Sequence, residues 1–180
     1  MLAAEDVVVT ERPFLAKRLL RGAAEYWREI LRRKLAIELP DTNAVTTREG
    51  VHCLWLRPDE WLLIGGPAAQ AAPFDRLVPL AEGSAATNAL FDVSDRFQCL
   101  EVRGAAAAEL LNCGCSVDFS ECAFAAGHCC RSRIEEVPVI ISKPHGSLGF
   151  DVMPERALTD YLWRWMSAAL REFSAHSILN

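Results

Sequence analysis

The chain has 180 residues, a formal net charge of −5 and 51% apolar residues. A chain of this length buries roughly 70% of the surface that its unfolded form exposes, so we expect one domain with a substantial core. The composition excludes disordered, collagen-like and low-complexity classes. No apolar run approaches the ~20 residues of a membrane-spanning helix. Glu5 and Asp6 stand where a secretory signal requires a basic and then an apolar stretch, so we expect a cytoplasmic protein without a membrane segment.

Charge is unevenly distributed along the chain. Residues 11–34 contain eight basic and three acidic side chains, whereas the rest of the chain contains eleven basic and twenty-one acidic ones. A basic patch can face nucleic acid, an anionic membrane or an acidic protein, but a strongly acidic remainder repels a phosphate backbone. We therefore expect no nucleic-acid partner, and interpret the segment as either a solvated helix face or a protein-binding surface.

The N-terminal segment has helical spacing. Pro13 stands where a helix can begin, and Gly22 within the segment disfavours one unbroken element. Apolar residues recur three to four apart with basic residues between them: Leu15, Leu19, Ala23, Trp27, Ile30 and Leu31. The pattern predicts an amphipathic N-terminal helix. We accordingly divide the chain into a basic amphipathic segment, residues 1–34, and a main domain, residues 35–175.

The next stretch predicts a β-hairpin followed by a short helix. Residues 51–66 form two apolar, partly alternating runs on either side of a turn at Pro58. Trp55 and Trp61 bracket this turn, and large aromatic rings either pack in cores or anchor protein interfaces, so both are candidate subunit contacts. Alanine-rich residues 68–82 predict a short or kinked helix, because two prolines interrupt the run.

A second hairpin and a helix are predicted further along the chain. Residues 89–93 and 97–103 have strand composition and are joined by a short polar turn. Asp92 and Arg96 flank this turn, where they can bond to each other or to its backbone, or bind a cofactor or partner. We keep both as candidate cofactor-binding residues. Strong helix formers over residues 105–111 predict a short helix.

The C-terminal third predicts a third hairpin, one more strand and a long helix. Residues 128–134 pair with 137–142, residues 149–153 form the next strand, and Pro154 is expected to open the helix. Apolar residues three and four apart define the buried side of that helix: Leu158, Tyr161, Leu162, Trp165, Met166 and Leu170. Hairpins joined by helices predict an α+β fold, with antiparallel β-hairpins alternating with helices that cover one face of the sheet.

The residues predict neither a catalytic centre nor a metal site. Cys113, Cys115 and the pair Cys129-Cys130 beside His128 have zinc-ligating chemistry, but their spacing does not match zinc knuckles, and strand alternation sends adjacent cysteines to opposite faces. We expect the seven cysteines to act as small core side chains in a reducing compartment. No nucleophile-elbow, phosphate-loop, zinc-protease or dinucleotide-binding motif is found.

Four stretches together carry a family resemblance. They are Leu54-Trp55-Leu56-Arg57-Pro58-Asp59-Glu60-Trp61-Leu62-Leu63, Asp92-Val93-Ser94-Asp95-Arg96 before Arg103-Gly104, Leu110-Leu111 before Gly114-Cys115-Ser116-Val117-Asp118, and Arg131-Ser132-Arg133-Ile134 before Val137-Pro138-Val139. The first stretch is the most specific. The second is shared with the wider folate-binding aminomethyltransferase superfamily, which includes the glycine-cleavage T-protein. Over about residues 35–170 the chain resembles the gamma subunit of heterotetrameric sarcosine oxidase.

The resemblance implies an aminomethyltransferase folate-binding-domain-like fold and a non-catalytic structural subunit. It implies alpha, beta and delta subunits as partners, with FAD, FMN, NAD and tetrahydrofolate bound by the complex, not by this chain. Complexes of this family oxidatively demethylate sarcosine to glycine, with hydrogen peroxide and formaldehyde or methylenetetrahydrofolate as the other products. Three alternatives stay open: a gamma-like subunit of N-methylglutamate dehydrogenase or a related secondary-amine dehydrogenase, a standalone folate-binding one-carbon protein using Asp92, and a zinc-binding regulatory module.

Overall fold

A computed structural model describes residues 1–4, 6–67, 74, 77 and 87–176. Within them the strands are β1 Leu2–Ala4, β2 Val7–Glu11, β3 Leu15–Arg21, β4 Val45–Arg48, β5 Val51–Arg57, β6 Glu60–Pro67, β7 Ala89–Asp92, β8 Leu100–Arg103, β9 His128–Ile134, β10 Val137–Lys143 and β11 Gly149–Pro154. The helices are α1 Ala24–Leu35, α2 Ala107–Asn112 and α3 Thr159–His176, with a 3₁₀ turn at Arg156–Leu158. None of these helices is both long and apolar enough to cross a membrane. The predicted helix over residues 68–82 falls almost entirely outside the described residues.

The strands form two antiparallel sheets. One has six strands in the order β1-β2-β8-β11-β10-β9, and the other has five in the order β4-β5-β6-β3-β7. One apolar cluster lies between the sheets, a second between the five-stranded sheet and α1, and a third between the six-stranded sheet and the helices α2 and α3. The α+β prediction is confirmed, but the described strands form two sheets in place of one, with α1 on the outer face of the five-stranded sheet and α2 and α3 on the outer face of the six-stranded sheet.

Strands β5 and β6 show why two sheets stack. Cys53 and Leu63 lie in the cluster under α1, whereas Leu54 and Leu62 lie in the cluster between the sheets, and all four are fully buried. Successive strand residues point to opposite faces, so a strand that is apolar at every position must be covered on both sides. Each fully buried leucine contributes about 1.5–3 kcal/mol relative to an exposed one. This hairpin is therefore the central element of the five-stranded sheet.

The prediction of one amphipathic helix from Pro13 is wrong in its first half. Residues up to Arg21 form β3, and the chain turns into α1 at Gly22, whose φ of 126° is accessible to glycine and strained for other residues. Leu15 faces the other sheet while Ala16 and Leu20 face α1. Because both faces of β3 are buried, its apolar residues occur at intervals that also fit a helix. Residues 1–34 thus supply strands to both sheets, and the rest of the chain supplies the other strands of the same two sheets.

The second predicted hairpin is also wrong, whereas the first and third are confirmed. β7 pairs with β3 in the five-stranded sheet, but β8 pairs with β2 and β11 in the six-stranded one. The polar turn between them therefore crosses from one sheet to the other. Both segments have strand composition, and no local signal distinguishes a hairpin turn from a crossing between layers.

The last helix begins later than predicted. Pro154 ends β11, where it lies opposite Val139, and the 3₁₀ turn precedes α3. On α3, Leu162, Met166 and Leu170 are buried as predicted, but Tyr161 is 53% exposed. The stripe that packs on the six-stranded sheet is thus narrower than the sequence indicated.

Candidate functional site

The turn after β7 is built around Asp92. Its Oδ1 accepts hydrogen bonds from the Ser94 backbone N–H at 2.9 Å and from the Ser94 hydroxyl at 2.6 Å, and it pairs with Arg18 Nη1 at 2.8 Å. Ser94 Oγ in turn accepts from the backbone N–H of Lys17 on β3 at 3.0 Å. Burial opposes ionisation of Asp92, but the Ser94 hydrogen bonds and the Arg18 charge outweigh it and lower the pKa of Asp92. The Asp-Val-Ser stretch thus fastens the crossing turn to β3.

Arg96 fastens the other end of the same turn. Its Nη2 donates to Glu155 Oε1 at 2.7 Å, and its guanidinium carbon lies 5.2 Å from the centre of the Phe97 ring. Asp92 and Arg96, which were predicted as a possible pair, therefore each bond to a different neighbour. Asp92 thus binds the start of the turn to the five-stranded sheet, and Arg96 binds its end to the six-stranded sheet. Their role in cofactor binding stays a prediction.

A cleft of about 330 Å³ opens beside this turn. Its walls come from the β2–β3 connection, the crossing turn and the 3₁₀ turn: Glu11, Pro13, Phe14, Leu15, Lys17, Ser94, Asp95, Phe97, Gln98 and Arg156. Lys17 is only 2% exposed, and its Nζ donates to the carbonyls of Leu15 at 3.2 Å and Ser94 at 3.4 Å. Burial lowers the pKa of Lys17. Lys17 was not among the predicted site residues, because its one sequence signal is a lysine between apolar strand residues.

A second cleft of about 330 Å³ lies at a polar end of the space between the sheets. Asp151, 1% exposed, accepts two hydrogen bonds from Arg12 Nη1 at 2.9 and 3.0 Å, and Glu101, 7% exposed, pairs with Arg103. His52 also lines the cleft, and burial lowers its pKa. Because each carboxylate is bound by an arginine, neither is poised as a free general base. The described residues contain no group of three or more His, Cys, Asp or Glu arranged to hold a metal ion.

The two tryptophans of the first hairpin lie opposite each other in register. Trp61 is 2% exposed and packs under α1, whereas Trp55 is half-buried at the edge of the same cluster. Trp61 thus belongs to the core of this chain. Of the two candidate subunit contacts, only Trp55 retains surface to offer a partner, and that role stays a prediction.

Glu60, in the same hairpin, joins the two sheets. It is 7% exposed and accepts hydrogen bonds from Arg57 Nη2 at 2.9 Å and Arg131 Nη1 at 3.1 Å, with Arg21 Nε at 3.4 Å. Arg131 lies on β9 of the six-stranded sheet, whereas Glu60, Arg21 and Arg57 belong to the five-stranded one. The Arg-Pro-Asp-Glu turn of the first resemblance motif therefore carries an ion-pair network between layers.

The adjacent cysteines of β9 point to opposite faces, as strand alternation predicted. Cys129 donates to the carbonyls of Ala44 and Trp55 at 3.2 Å in the layer between the sheets, whereas Cys130 packs on the helix side. Burial raises the pKa of both thiols to about 12. The core role is confirmed for the buried cysteines, but Cys113 and Cys122 are exposed and contradict it.

A sequence model described as "Sarcosine oxidase, gamma subunit family" matches residues 22–172, which is most of the chain. The chain belongs to the sarcosine oxidase gamma subunit family. The gamma subunit of sarcosine oxidase from Corynebacterium sp. (strain P-1) is 26% identical over 130 residues, covering 72% of this chain and 62% of that relative. The matched segment spans 60–62% of the length of the curated gamma subunits that it resembles.

Two solved structures share this fold. A chain of the heterotetrameric sarcosine oxidase from Corynebacterium sp. U-96, in complex with pyrrole 2-carboxylate, superposes with a TM-score of 0.85 and 25% identity, covering 96% of this chain and 88% of that one. The glycine cleavage system aminomethyltransferase T from Bartonella henselae superposes with a TM-score of 0.64 and 12% identity, covering 89% of this chain and 45% of that one. The predicted aminomethyltransferase folate-binding-domain-like fold is confirmed.

Proposed function

We propose that this chain is the structural gamma subunit of a cytoplasmic heterotetrameric sarcosine oxidase, assembled with alpha, beta and delta subunits. The observation that carries the proposal is the backbone match over 96% of the chain to a chain of a heterotetrameric sarcosine oxidase. In this complex sarcosine is oxidised to glycine while oxygen is reduced to hydrogen peroxide, and the methyl carbon leaves as formaldehyde or enters methylenetetrahydrofolate.

Side-chain chemistry supports a structural role for the chain. The buried carboxylates among the described residues are paired within the chain: Glu60 with three arginines, Glu101 with Arg103 and Asp151 with Arg12. Groups committed to ion pairs between strands and sheets stabilise the fold and are not free to transfer protons to a substrate. We accordingly assign FAD, FMN, NAD and tetrahydrofolate to the companion subunits.

The same chemistry disfavours a standalone folate-binding protein. That alternative requires Asp92 to face a pterin, but one oxygen of this carboxylate already accepts two hydrogen bonds from Ser94 and pairs with Arg18. A ligand would have to replace these bonds and release the crossing turn. Titration calorimetry of the purified chain with tetrahydrofolate is therefore expected to give no binding heat, and a saturable heat that Asp92→Asn abolishes would support the folate alternative.

Co-expression tests the main proposal. We expect the chain, co-expressed with the three companion open reading frames and an affinity tag on the largest, to co-purify in equimolar amount in a complex that shows flavin absorbance and consumes oxygen with sarcosine. A flavin-containing companion complex that excludes this chain would refute the proposal. Oxygen or dye reduction with N-methylglutamate but not with sarcosine would establish the dehydrogenase alternative for the complex.

A further inference from the structure

Phe14 is exposed and adopts a backbone conformation that disfavours a bulky side chain. The residue is 81% exposed, and its φ of 62° lies in the left-handed region. Glycine and asparagine adopt that region readily, whereas a large side chain there is strained. A turn that required only this backbone conformation would be served better by either of those residues. The conformation therefore does not explain why an aromatic ring stands at this position.

Packing within the chain does not explain the ring either. The next residue, Leu15, is 5% exposed and lies in the apolar cluster between the sheets. Phe14 belongs to none of the three apolar clusters, and among the described residues its ring makes no stacking or cation–π contact. A single exposed apolar side chain is ordinary. Phe14 is unusual because its exposure is combined with backbone strain.

The backbone on both sides of Phe14 is held in place. Before it, the Arg12 N–H donates to the carbonyl of Cys99 at 2.8 Å. After it, the Lys17 N–H donates to Ser94 Oγ at 3.0 Å. A segment that is ordered before binding loses little conformational freedom when a partner covers it. Phe14 is thus a preorganised apolar projection on the connection between β2 and β3.

The charges beside Phe14 balance. The charged side chains that line the adjacent cleft are two basic and two acidic ones: Lys17, Arg156, Glu11 and Asp95. Of these, Arg156 Nη1 lies 3.8 Å from Asp95 Oδ1. Apolar Pro13 and Phe97 line the same cleft. A formally neutral surface with apolar residues at its rim favours a partner that fits it by apolar contact and brings no net charge.

Resting on the gamma-subunit function proposed above, we propose that Phe14 anchors this chain to a companion subunit by inserting its ring into an apolar pocket on the surface of that subunit. Aromatic side chains that fill such pockets contribute a large share of the binding free energy of protein interfaces. Pro13, which is exposed, and Phe97 across the cleft supply apolar surface around the insertion. Burial in the complex thus accounts for an aromatic residue that the isolated chain leaves in water.

Competitive assembly tests the contact. Wild-type chain and Phe14→Asn, carrying different epitopes, are co-expressed at equal levels with the three companion subunits, and the ratio of the two in the purified flavin-containing complex is measured. Asparagine tolerates the positive φ and removes the ring. We expect at least about tenfold less Phe14→Asn than wild type in the complex, because truncation of an aromatic anchor weakens an interface by that much or more.

Two further variants separate the ring from the backbone conformation. Glu49→Asn makes the same replacement at another position with positive φ, 50°, where the side chain is 86% exposed and lies outside the cleft. This matched control is expected to be incorporated as well as wild type. Phe14→Leu keeps an apolar side chain, so it is expected to be incorporated better than Phe14→Asn.

The isolated chain provides the second readout. Phe14→Asn is expected to unfold at the same or a higher urea concentration than wild type, because it removes a ring without packing partners and relieves backbone strain. Phe14→Gly takes its place in both measurements if Phe14→Asn does not fold. A lower urea midpoint for both variants, or failure of both to fold, would show that the ring stabilises this chain and would overturn the inference.

Equal incorporation of the folded variant and wild type would overturn the inference while leaving the gamma-subunit function intact. Exclusion of the wild-type chain from the complex would overturn both. A concentration-dependent dimer of the isolated wild type, measured by sedimentation equilibrium and absent from Phe14→Asn, would assign the pocket to a second copy of this chain and would also overturn the contact with a companion subunit.

Discussion

Glu60 carries an ion-pair link between the two sheets. Glu60→Gln leaves the positive charges of Arg21, Arg57 and Arg131 without their common counter-ion. Breaking a fully buried pair costs about 3–5 kcal/mol, but these arginines are half-exposed, so we expect a loss of about 2 kcal/mol. The midpoint of urea unfolding at constant m-value measures it. Glu136→Gln, which removes an ion pair at an 84% exposed side chain, is the control and should cost under about 0.5 kcal/mol.

Asp92 gives the stability of the chain a pH dependence. Because its folded-state pKa lies below the unfolded value of about 3.9, its carboxylate contributes stability above that pH, and the contribution is lost as the pH falls through the folded-state pKa. Wild type should therefore exceed Asp92→Asn by under about 1 kcal/mol at pH 7, since the side chain is largely exposed. Urea unfolding of both proteins at pH 7 and at pH ~3 should show the difference shrinking. A difference that stays constant would assign the effect to packing.

The secondary-structure elements were predictable where their causes are local. The hairpin of β5 and β6 and that of β9 and β10 follow from strand composition around short turns, which the chain fixes within a few residues. The boundary between β3 and α1 was not predictable from apolar spacing, because a strand buried on both faces and a helix place leucines at overlapping intervals. Gly22 lies at this boundary. From the sequence it indicated a break within a helix, whereas in the structure it directly follows the last residue of β3.

Gly22 is expected to tolerate no side chain. With φ at 126°, a Cβ at this position would also lie 2.7 Å from the carbonyl oxygen of Thr87. Strain and collision act together, so Gly22→Ala should destabilise the chain by about 2 kcal/mol or more, measured by thermal or urea unfolding. Gly50→Ala is the matched comparison, since Gly50 has φ of 76° and open space around it and should cost only about 1 kcal/mol. Equal losses at both positions would mean that the contact at Thr87 is not tight.

At the scale of the whole molecule, the site was less predictable than the fold. The Asp92–Arg96 turn was found from its residue types, but its crossing between sheets depends on pairings made by distant strands. The burial of Lys17 was not predictable from the sequence, because β3 lies between two layers and the residues that cover it are far away in sequence. Local patterns thus identify turns and hairpins, whereas the stacking of the two sheets determines which polar side chains are buried.

The stacked layers predict which thiols react. Cys113 and Cys122 are exposed, whereas Cys53 and Cys99 lie in the layers on either side of the five-stranded sheet, where burial raises their pKa. Since the thiolate is the reactive form, a chromogenic aromatic disulfide should modify two cysteines rapidly in the native chain and all seven in guanidinium. The half-buried Cys130 should react slowly. A Cys113→Ser, Cys122→Ser variant should stay folded and lose the rapid phase, and any rapidly reacting thiol in it would show that the layers open under native conditions.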